Sequence, residues 1–345
     1  MNTPDTTPTQ ETIDAVYTWV NGDDPELRAG LQRWRQGPAD VHSSGVRRFR
    51  DNGELRYSLR ALEQHAPWVR NVIIVHAGAS PAWLDTTCAG LRMVRHEEIF
   101  PDPTVLPTFN SWAIELSLHL IPGLSRRFLY LNDDFFLARD TPRSWFLPPD
   151  GPPRFFFENN AIPIRGDSRN VTDRALAHTL RFQPWKGSYS SPALARSRTN
   201  WRRFLGLAPY RNKTAHVPQL YDRDAICNLE ARFPAEFQTT RRHRFRAPDD
   251  LALQILYAYT GLARGQLQAV RLDWNSPDYL FVRLRDDPEQ SRGALDRLEQ
   301  ERPTFACAND DVVSDEPNPP ALVYWKAVMA RCWPRPSRFE RGPLL

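Results

Sequence analysis

Short apolar segments alternate with amphipathic ones through the first 140 residues of this 345-residue chain. β-branched and aromatic runs bounded by turn residues predict four strands, over residues 13–20, 71–78, 91–96 and 126–131. Leucines at helical spacing predict a helix over 53–66, and the run that ends at Pro122 predicts another over 111–121. This alternation is typical of an α/β fold with a mostly parallel, Rossmann-like sheet flanked by helices.

The pattern changes after this first part, which spans residues 13–140. Residues 141–215 are rich in Pro, Arg and Ser, which predicts a less regular inserted lobe. Helical patterns then return and predict a helical second half over 216–345, with helices at 222–233, 248–263 and 319–333. We therefore expect a disordered leader over 1–12 and a single domain over 13–345.

Composition narrows the class of protein. Apolar residues make up 41% of the chain and charged residues 25%, as in globular proteins. No apolar run approaches the roughly 20 residues that span a bilayer, and the polar start lacks a secretory signal pattern, so we expect a cytoplasmic protein. The four cysteines lie far apart in sequence, which predicts buried free thiols rather than a zinc or redox pair.

The charge balance leaves the predicted class of protein unchanged. The net charge is +4, and 42 of the 45 basic residues are arginines. Arginine suits bidentate contacts to phosphate, but there is no long basic run of the kind that nucleic-acid-binding segments carry. We expect an anionic small substrate or polymer rather than nucleic acid.

The stretch FLYLNDDFFL places Asn132, Asp133 and Asp134 at the end of an apolar strand. Ligands of parallel sheets bind beyond the carboxyl ends of the strands, where adjacent carboxylates suit a divalent cation. The alternative is a simple turn, which Asn and Asp also favour. The triplet recurs as Asn309, Asp310 and Asp311; this repeat is either a polar loop or a second arm of the same site.

Three further features carry candidate chemistry. Glu115 lies early in its predicted helix, where a carboxylate is also favourable for the helix dipole alone. His216 precedes Val-Pro, and an isolated histidine is more often structural than functional. The run RRHRFR at 241–246 is either a solvated face or a phosphate-binding cluster.

Several signatures are absent from the sequence. It has no GxxxxGK[ST] loop, no GxGxxG after the first strand, no GxSxG elbow and no HExxH. This argues against P-loop kinases, typical dinucleotide enzymes, typical serine hydrolases and zincins.

Long ordered strings carry a family resemblance. The strings are IDAVYTWVNGDDPEL (13–27), RFRDNGELRYSLRALEQHAPWVRNVIIVHAG (48–78), LPTFNSWAIELSLHLIPGLSRRFLYLNDDFFL (106–137), AHVPQLYDRD (215–224) with FRAPDD (245–250), and FACANDD (305–311). They resemble the four signature blocks of the Stealth family. That family includes bacterial capsule polysaccharide phosphotransferases and the catalytic subunit of an animal N-acetylglucosamine-1-phosphotransferase.

The resemblance implies a fold related to nucleotide-sugar transferases, a UDP-sugar donor, and Mg²⁺ or Mn²⁺. It also implies transfer of a hexose-1-phosphate, N-acetylglucosamine-1-phosphate by preference, to a glycan acceptor, with release of UMP. An enzyme of this kind works at the inner face of the membrane, so any membrane contact is expected to be peripheral, and the 141–215 lobe is expected on the acceptor side.

Motif positions assign roles to individual residues. The catalytic set is Glu115, Asp134, His216 and Arg246; the nucleotide-sugar-binding set is Asp14, Thr18, Asn21, Gly22, Asp51, Asn52 and Arg56; the metal set is Asp133, Asp134 and Asp310. The chain departs from animal members at Gln219, where they carry a second histidine, which leaves the proton path open. Asp311 stands where some members differ, which argues against a fixed metal role for it.

Two other functions fit the same residues. A glycosyltransferase would use the same fold, donor and metal, but would release UDP. A polyanion-binding module would use the 241–246 cluster and would need no buried carboxylates. The general base also stays open between His216, Glu115 and Asp134.

Overall fold

The structure is a computed structural model that describes residues 11–35, 49–163, 171, 172, 175, 210–314, 316 and 318–342. For residues 160–163, 210, 211 and 275 it describes the backbone only. Most of the predicted leader and the greater part of the predicted 141–215 lobe therefore lie outside the described residues.

The described strands are β1 (Ile13–Thr18), β2 (Val72–His76), β3 (Leu91–Arg95), β4 (Arg127–Asn132), β5 (Phe135–Leu137), β6 (Arg154–Pro163), β7 (Tyr210–Thr214), β8 (Gln219–Asp222), β9 (Gln268–Leu272), β10 (Asn275–Ser276), β11 (Tyr279–Leu284) and β12 (Phe305–Asp310). The described α-helices are α1 (Pro25–Trp34), α2 (Glu54–His65), α3 (Ser111–Glu115), α4 (Arg223–Arg232), α5 (Pro234–Arg242), α6 (Leu253–Ala263), α7 (Glu289–Glu301) and α8 (Pro320–Cys332).

The central sheet has the order β3-β2-β1-β4-β8. Its first four strands are parallel, and β8 runs antiparallel to β4 at one edge. Side chains alternate across it, so that Val16 and Ile73 join the core that packs on α3 to α6, whereas Tyr17 and Ile74 join the core that packs on α2. The predicted mostly parallel α/β sheet is confirmed.

Two smaller sheets extend this core, one with the order β10-β11-β12-β5 and the other with the order β7-β6-β9. The prediction that residues 141–215 are irregular is wrong at β6 and β7. The prediction of a helical second half over 216–345 missed the strands β8 to β12. The run Phe155-Phe156-Phe157 is buried on both faces, and its strand partner β9 lies more than 100 residues away. It therefore shows neither the alternation nor the local hairpin that marks a strand in sequence.

The helix predicted over 111–121 is shorter than expected. It ends at Glu115 and is followed by a 3₁₀ turn at Leu118–Leu120. Arg241 donates to the Leu116 carbonyl at 2.6 Å, and the Ser117 hydroxyl donates back to the Ala113 carbonyl at 3.0 Å. These side chains satisfy carbonyls at the helix end that a longer helix would use itself.

All four cysteines are free thiols, as predicted, but Cys227 is exposed and Cys88 is only partly buried, so burial holds for Cys307 and Cys332 alone. Among the described residues, no helix combines the length and the apolarity needed to cross a membrane.

Gly22 lies where the chain after β1 passes beneath residues 49 and 50. A Cβ atom at Gly22 would lie 1.6 Å from the Phe49 carbonyl oxygen. We expect Gly22→Ala to lower the free energy of unfolding by about 1–3 kcal/mol, because the backbone must move apart to accept the methyl group.

Gly293 in α7 is the matched control, because a Cβ there meets nothing within 4 Å. Gly293→Ala should raise the free energy of unfolding by about 0.5–1 kcal/mol through helix propensity. Urea denaturation of both variants checks the pair, and equal stability of Gly22→Ala and wild type would contradict the close approach.

Candidate active site

The carboxyl ends of the parallel strands lie together at one end of the central sheet, which we call the carboxyl edge. A connected set of polar side chains lies there. Thr18 ends β1 and Asn132 ends β4, and the two residues are paired in register. The Thr18 hydroxyl lies 3.3 Å from Asn132 Oδ1, and the Tyr130 hydroxyl lies 2.8 Å from the same oxygen. Asp133 and Asp134 follow at once and connect β4 to β5, which belongs to the neighbouring sheet. The aspartates therefore stand where two sheets meet.

The two Asn-Asp-Asp triplets converge at this junction. β12 runs antiparallel to β5 with Cys307 opposite Phe135, and the Ala308 amide donates to the Asp134 carbonyl at 3.1 Å. The next residues of β12, Asn309 and Asp310, therefore lie beside the first triplet. The reading of the repeat as a second arm of one site agrees with this placement.

The carboxylates raise one another's pKa. Burial, together with the charges of Asp134, Glu54 and Asp51, raises the pKa of Asp133 well above its usual range. Burial and the charge of Asp51 raise the pKa of Glu54 to about 8. A cluster of this kind holds its full negative charge only when a cation or a substrate donor compensates it.

Asp310 is engaged by protein groups. Its Oδ2 accepts hydrogen bonds from Arg50 Nη1 at 3.3 Å and Asn52 Nδ2 at 3.1 Å, and its Oδ1 accepts from the Val312 amide. Both oxygens are engaged, although Oδ1 retains one lone pair, so the metal role of Asp310 stays a prediction. The residue also ties β12 to the segment that leads into α2.

The remaining acidic residues fit a divalent cation in donor chemistry. Asp134 Oδ1 is buried and has no hydrogen-bond partner, and Asp133 lies beside it with a raised pKa. Across the described part of the chain, no three acidic, histidine or cysteine side chains are grouped as a complete metal site. A cation held here would take its other ligands from water and substrate phosphates, as Mg²⁺ commonly does.

His216 faces Asp134 and is held from behind by a buried carboxylate. Burial raises the pKa of Asp134, and the nearby His216 lowers it in part. His216 Nδ1 lies 3.1 Å from Glu158 Oε1, and its backbone amide donates to the Tyr279 hydroxyl at 3.3 Å. Since Glu158 is buried and His216 is about half exposed, the imidazole presents Nε2 outward.

Glu115 and Arg246 form a second charged pair at the same edge. Burial raises the pKa of Glu115 to about 7, although Arg246 and hydrogen bonds with Tyr130 and Gln254 lower it in part. Burial in turn lowers the pKa of Arg246. The Arg246 guanidinium donates to the Ser111 hydroxyl and lies 4.9 Å from the centre of the Trp112 ring, while its buried Nε has no partner.

Asp250 fixes the loop that carries Arg246. Its buried carboxylate accepts hydrogen bonds from Asn110 Nδ2 and from the Ala247 amide, and lies 2.7 Å from His243 Nδ1. These bonds attach the loop to the start of α3. They also keep residues 247–252 out of the helix predicted to start at Pro248, so that α6 begins at Leu253.

The arginines of the 241–246 cluster diverge. Arg241 is buried and pairs with Glu230, Arg244 lies 3.9 Å from the centre of the Trp34 ring, and Arg246 points toward Glu115. The run therefore presents neither a continuous solvated face nor a single phosphate-binding patch. This geometry does not favour the polyanion-binding reading of the cluster.

Five of the seven predicted donor-binding residues lie around the carboxyl edge, namely Thr18, Asn21, Gly22, Asp51 and Asn52. Asp14 lies at the opposite, amino end of β1. Its carboxylate accepts from Arg70 at 2.8 and 2.6 Å, from Asn71 at 3.1 Å and from the Ser125 amide at 2.9 Å. These bonds give Asp14 a structural role at the amino end of the sheet, and its donor contact stays a prediction.

Arg56 is likewise engaged elsewhere. Its Nε donates to the buried carboxylate of Glu340 at 2.5 Å, and its guanidinium lies over the Trp83 ring. The pair anchors the C-terminal segment to α2, which does not support the predicted donor contact. Gln219 is also structural, because its amide exchanges hydrogen bonds with the backbone of Phe156.

Glu158, Glu54 and Cys307 were missed in the sequence. Cys307 Sγ donates to Asp134 Oδ2 at 3.4 Å, and Glu54 joins the acidic cluster through Asn52. A carboxylate that directly ends the apolar run RFFFE was the signal that could have identified Glu158, since a buried carboxylate needs a partner.

Three family models match the chain in order. They are Stealth protein CR1, conserved region 1, over residues 11–37; CR2, conserved region 2, over 48–155; and CR3, conserved region 3, over 215–259. Together they span more than half of the sequence, and between them they contain all four predicted catalytic residues.

Curated relatives agree with these matches. The exopolysaccharide phosphotransferase SCO2594 of Streptomyces coelicolor is 35% identical over 342 residues, covering 96% of this chain and 52% of that protein. The exopolysaccharide phosphotransferase CpsY of Mycobacterium tuberculosis is 30% identical, and the match covers 95% of this chain and 58% of that protein. The capsular polysaccharide phosphotransferase SacB of Neisseria meningitidis serogroup A is 29% identical, and the match covers 95% of this chain and 57% of that protein. The chain spans about half the length of these relatives.

Among solved structures, the galactosyltransferase LgtC with donor and acceptor sugar analogues aligns with a TM-score of 0.40 and 10% identity, covering 92% of this chain and 95% of that one. This likeness is too weak to bear on function. The three ordered family matches and the relatives identify the family directly: the chain belongs to the Stealth family.

Proposed function

We propose that this chain transfers a hexose-1-phosphate, N-acetylglucosamine-1-phosphate by preference, from a UDP-sugar to a hydroxyl group of a glycan acceptor. UMP leaves and a phosphodiester forms, in capsule or cell-surface polysaccharide synthesis. The observation that carries the proposal is that Asp133 and Asp134 follow β4 at the ligand edge of the sheet, where the His216 ring packs against Phe135, the residue after Asp134. The names of the relatives, polysaccharide phosphotransferases, support the same reaction class.

Positioning and charge compensation account for most catalysis of phosphoryl transfer. Asp133 and Asp134 are the residues that would hold Mg²⁺ or Mn²⁺, whose charge would offset that of the diphosphate. Arg246 is placed to bind the diphosphate, because its Nε is unpartnered and its guanidinium is oriented by Ser111 and Trp112. Thr18 and Asn132 line the edge on which the nucleotide would lie.

His216 is the general base in this proposal. Its Nδ1 is held by Glu158, so Nε2 is free to take the proton of the acceptor hydroxyl. The acceptor oxygen then bonds to the β-phosphorus while the bond from that phosphorus to the bridging oxygen breaks. Glu115 is less suited to this role, because it is buried and its negative charge is opposed by Arg246.

Glu158→Gln tests the support of His216. We expect kcat to fall by about tenfold or more, since an amide cannot stabilise a protonated imidazole as a carboxylate does. Glu289→Gln, at an exposed carboxylate of α7, is the control. An unchanged kcat in Glu158→Gln would argue against the assignment.

The leaving nucleotide tests the proposed reaction. Purified protein is incubated with Mg²⁺, an oligosaccharide acceptor and each of a panel of UDP-sugars, and the released nucleotide is identified by chromatography. UMP is the expected product. Release of UDP would instead show a glycosyltransferase, and release of neither nucleotide with any donor would exclude both reactions.

A further inference from the structure

An exposed aromatic strip leads to the candidate catalytic histidine. Trp274 is 41% exposed, one of few large apolar side chains in the described residues that are so accessible. Its ring centre lies 5.3 Å from that of Phe281, which lies 5.1 Å from that of His216. The His216 ring in turn contacts Phe135, the residue after Asp134. Aromatic rings thus form a continuous path from solvent to Asp133 and Asp134, which we call the acidic edge.

The strip lies on one face of the sheet with the order β10-β11-β12-β5. Alternation along β11 places Tyr279, Phe281 and Arg283 on the same side. Phe281 is paired in register with Cys307 of β12, whose thiol donates to Asp134. A molecule lying along this face therefore has one end at Asp134 and the other at Trp274.

The turn that joins β10 to β11, three residues after Trp274, is fixed by hydrogen bonds. Arg139 donates to the Pro277 carbonyl at 2.7 Å and to Asp278 Oδ1 at 2.6 Å, and Thr304 donates to the same carboxylate oxygen at 2.9 Å. These bonds fix Pro277 and Asp278, which form the two-residue turn of the β10–β11 hairpin. The hairpin whose second strand carries Phe281 and Arg283 is therefore held by the protein's own bonds, which lowers the entropic cost of binding a ligand there.

A cation accompanies the aromatic rings. The Arg283 guanidinium lies 5.8 Å from the centre of the Trp274 ring and 5.7 Å from that of Phe281. The side chain is exposed, and within the described part of the chain it makes no ion pair. It is free to bind an anionic group on a molecule that lies over the two rings.

This chemistry matches a sugar ring next to an anionic group. One face of a pyranose consists mainly of C–H groups, which pack on exposed aromatic rings, and its hydroxyls stay in water. We propose that Trp274, Phe281 and Arg283 form the acceptor subsite, which binds a sugar residue of an anionic glycan and directs its hydroxyl to His216. The inference rests on the proposed function, because it takes the acceptor to be a glycan.

Binding and turnover measured separately test this subsite. The probes are oligosaccharides of two to six hexose residues, each in a neutral form and in a form that carries one phosphodiester. Calorimetry measures binding, and UMP release at saturating donor gives the acceptor KM and kcat. For Trp274→Ala we expect about tenfold weaker acceptor binding and a correspondingly higher acceptor KM, with the donor KM unchanged.

The variants separate stacking from charge. Trp274→Phe should retain most of the affinity, because a smaller ring still covers the sugar. Arg283→Gln should weaken only the phosphodiester-bearing probes, by about three- to fivefold, and the difference should shrink at high salt. Val323→Ala, at an exposed apolar residue of α8, is the control and should change nothing.

The outcomes distinguish the two proposals. Equal affinity of wild type and Trp274→Ala, or wild-type protein that binds none of the probes, would overturn the subsite. Wild-type protein that binds the probes with the expected losses in the variants, but releases no UMP, would leave the subsite standing and refute the proposed reaction.

Discussion

Asp134→Asn is expected to reduce UMP release by roughly 10³-fold or more, the scale on which loss of charge stabilisation at a reacting phosphate acts. Asp134 contributes the buried, unpartnered Oδ1 of the acidic edge and faces His216. An amide retains the shape and can still accept from Cys307, but it carries no charge to hold a cation. Initial rates with the preferred UDP-sugar over a range of Mg²⁺ concentrations measure the effect.

The fold should survive this change. Burial raises the pKa of Asp134, so its ionised form costs stability at every pH above the unfolded pKa of the group. Asn should therefore leave the melting temperature at pH 8 unchanged or higher, with no gain at pH 3, where the carboxyl is protonated in both states. Asp150→Asn, at an exposed turn, is the activity control. Full activity in Asp134→Asn would refute its role.

Arg246→Gln is expected to lower kcat/KM by about 10²–10³-fold through loss of a preorganised cation at the diphosphate. The substitution also removes the charge that lowers the pKa of Glu115, so that pKa should rise above about 7. At pH 7 Glu115 then becomes mostly protonated, whereas in the wild type it is near its midpoint. Any limb of the pH–rate profile that reflects Glu115 should therefore move to higher pH.

Arg242→Gln is the control for this prediction. Arg242 precedes the same loop but is exposed to solvent, and it lies outside the Glu115 network. Its replacement should leave kcat/KM within about twofold, as for most surface positions. Equal losses in the two variants would show that the loop, rather than the Arg246 cation, is what the reaction requires.

Local patterns predicted the first part of the fold well. The strands at β1 to β4 and the helix α2 follow from apolar runs and leucine spacing, because each is bounded by turn or capping residues. β6 and the short helix α3 were misread. β6 is defined by a partner far away in sequence, and α3 is shortened by Arg241, which reaches it from α5. Such partners leave no mark in a local window.

Part of the candidate site could likewise be predicted from the sequence, and part of it could not. Asp133, Asp134 and the repeat at residues 309–311 stand out in sequence, because carboxylates beside buried strands need a partner. Motif position added Glu115, His216 and Arg246, and it also assigned donor contacts to Asp14 and Arg56. Nothing local distinguishes Asp14 from Thr18, which stand at opposite ends of the same strand.

The sequence by itself determined the alternating α/β pattern, the carboxyl edge and the pair of aspartates that ends β4. These features depend on residue type and on the order of neighbours along the chain. Only the tertiary structure decided that Glu158 supports His216, that Arg50 and Asn52 occupy Asp310, and that Trp274 opens onto the acidic edge. Each of these facts joins residues from different sheets or helices, and distance in space is fixed by packing, which no spacing along the chain specifies.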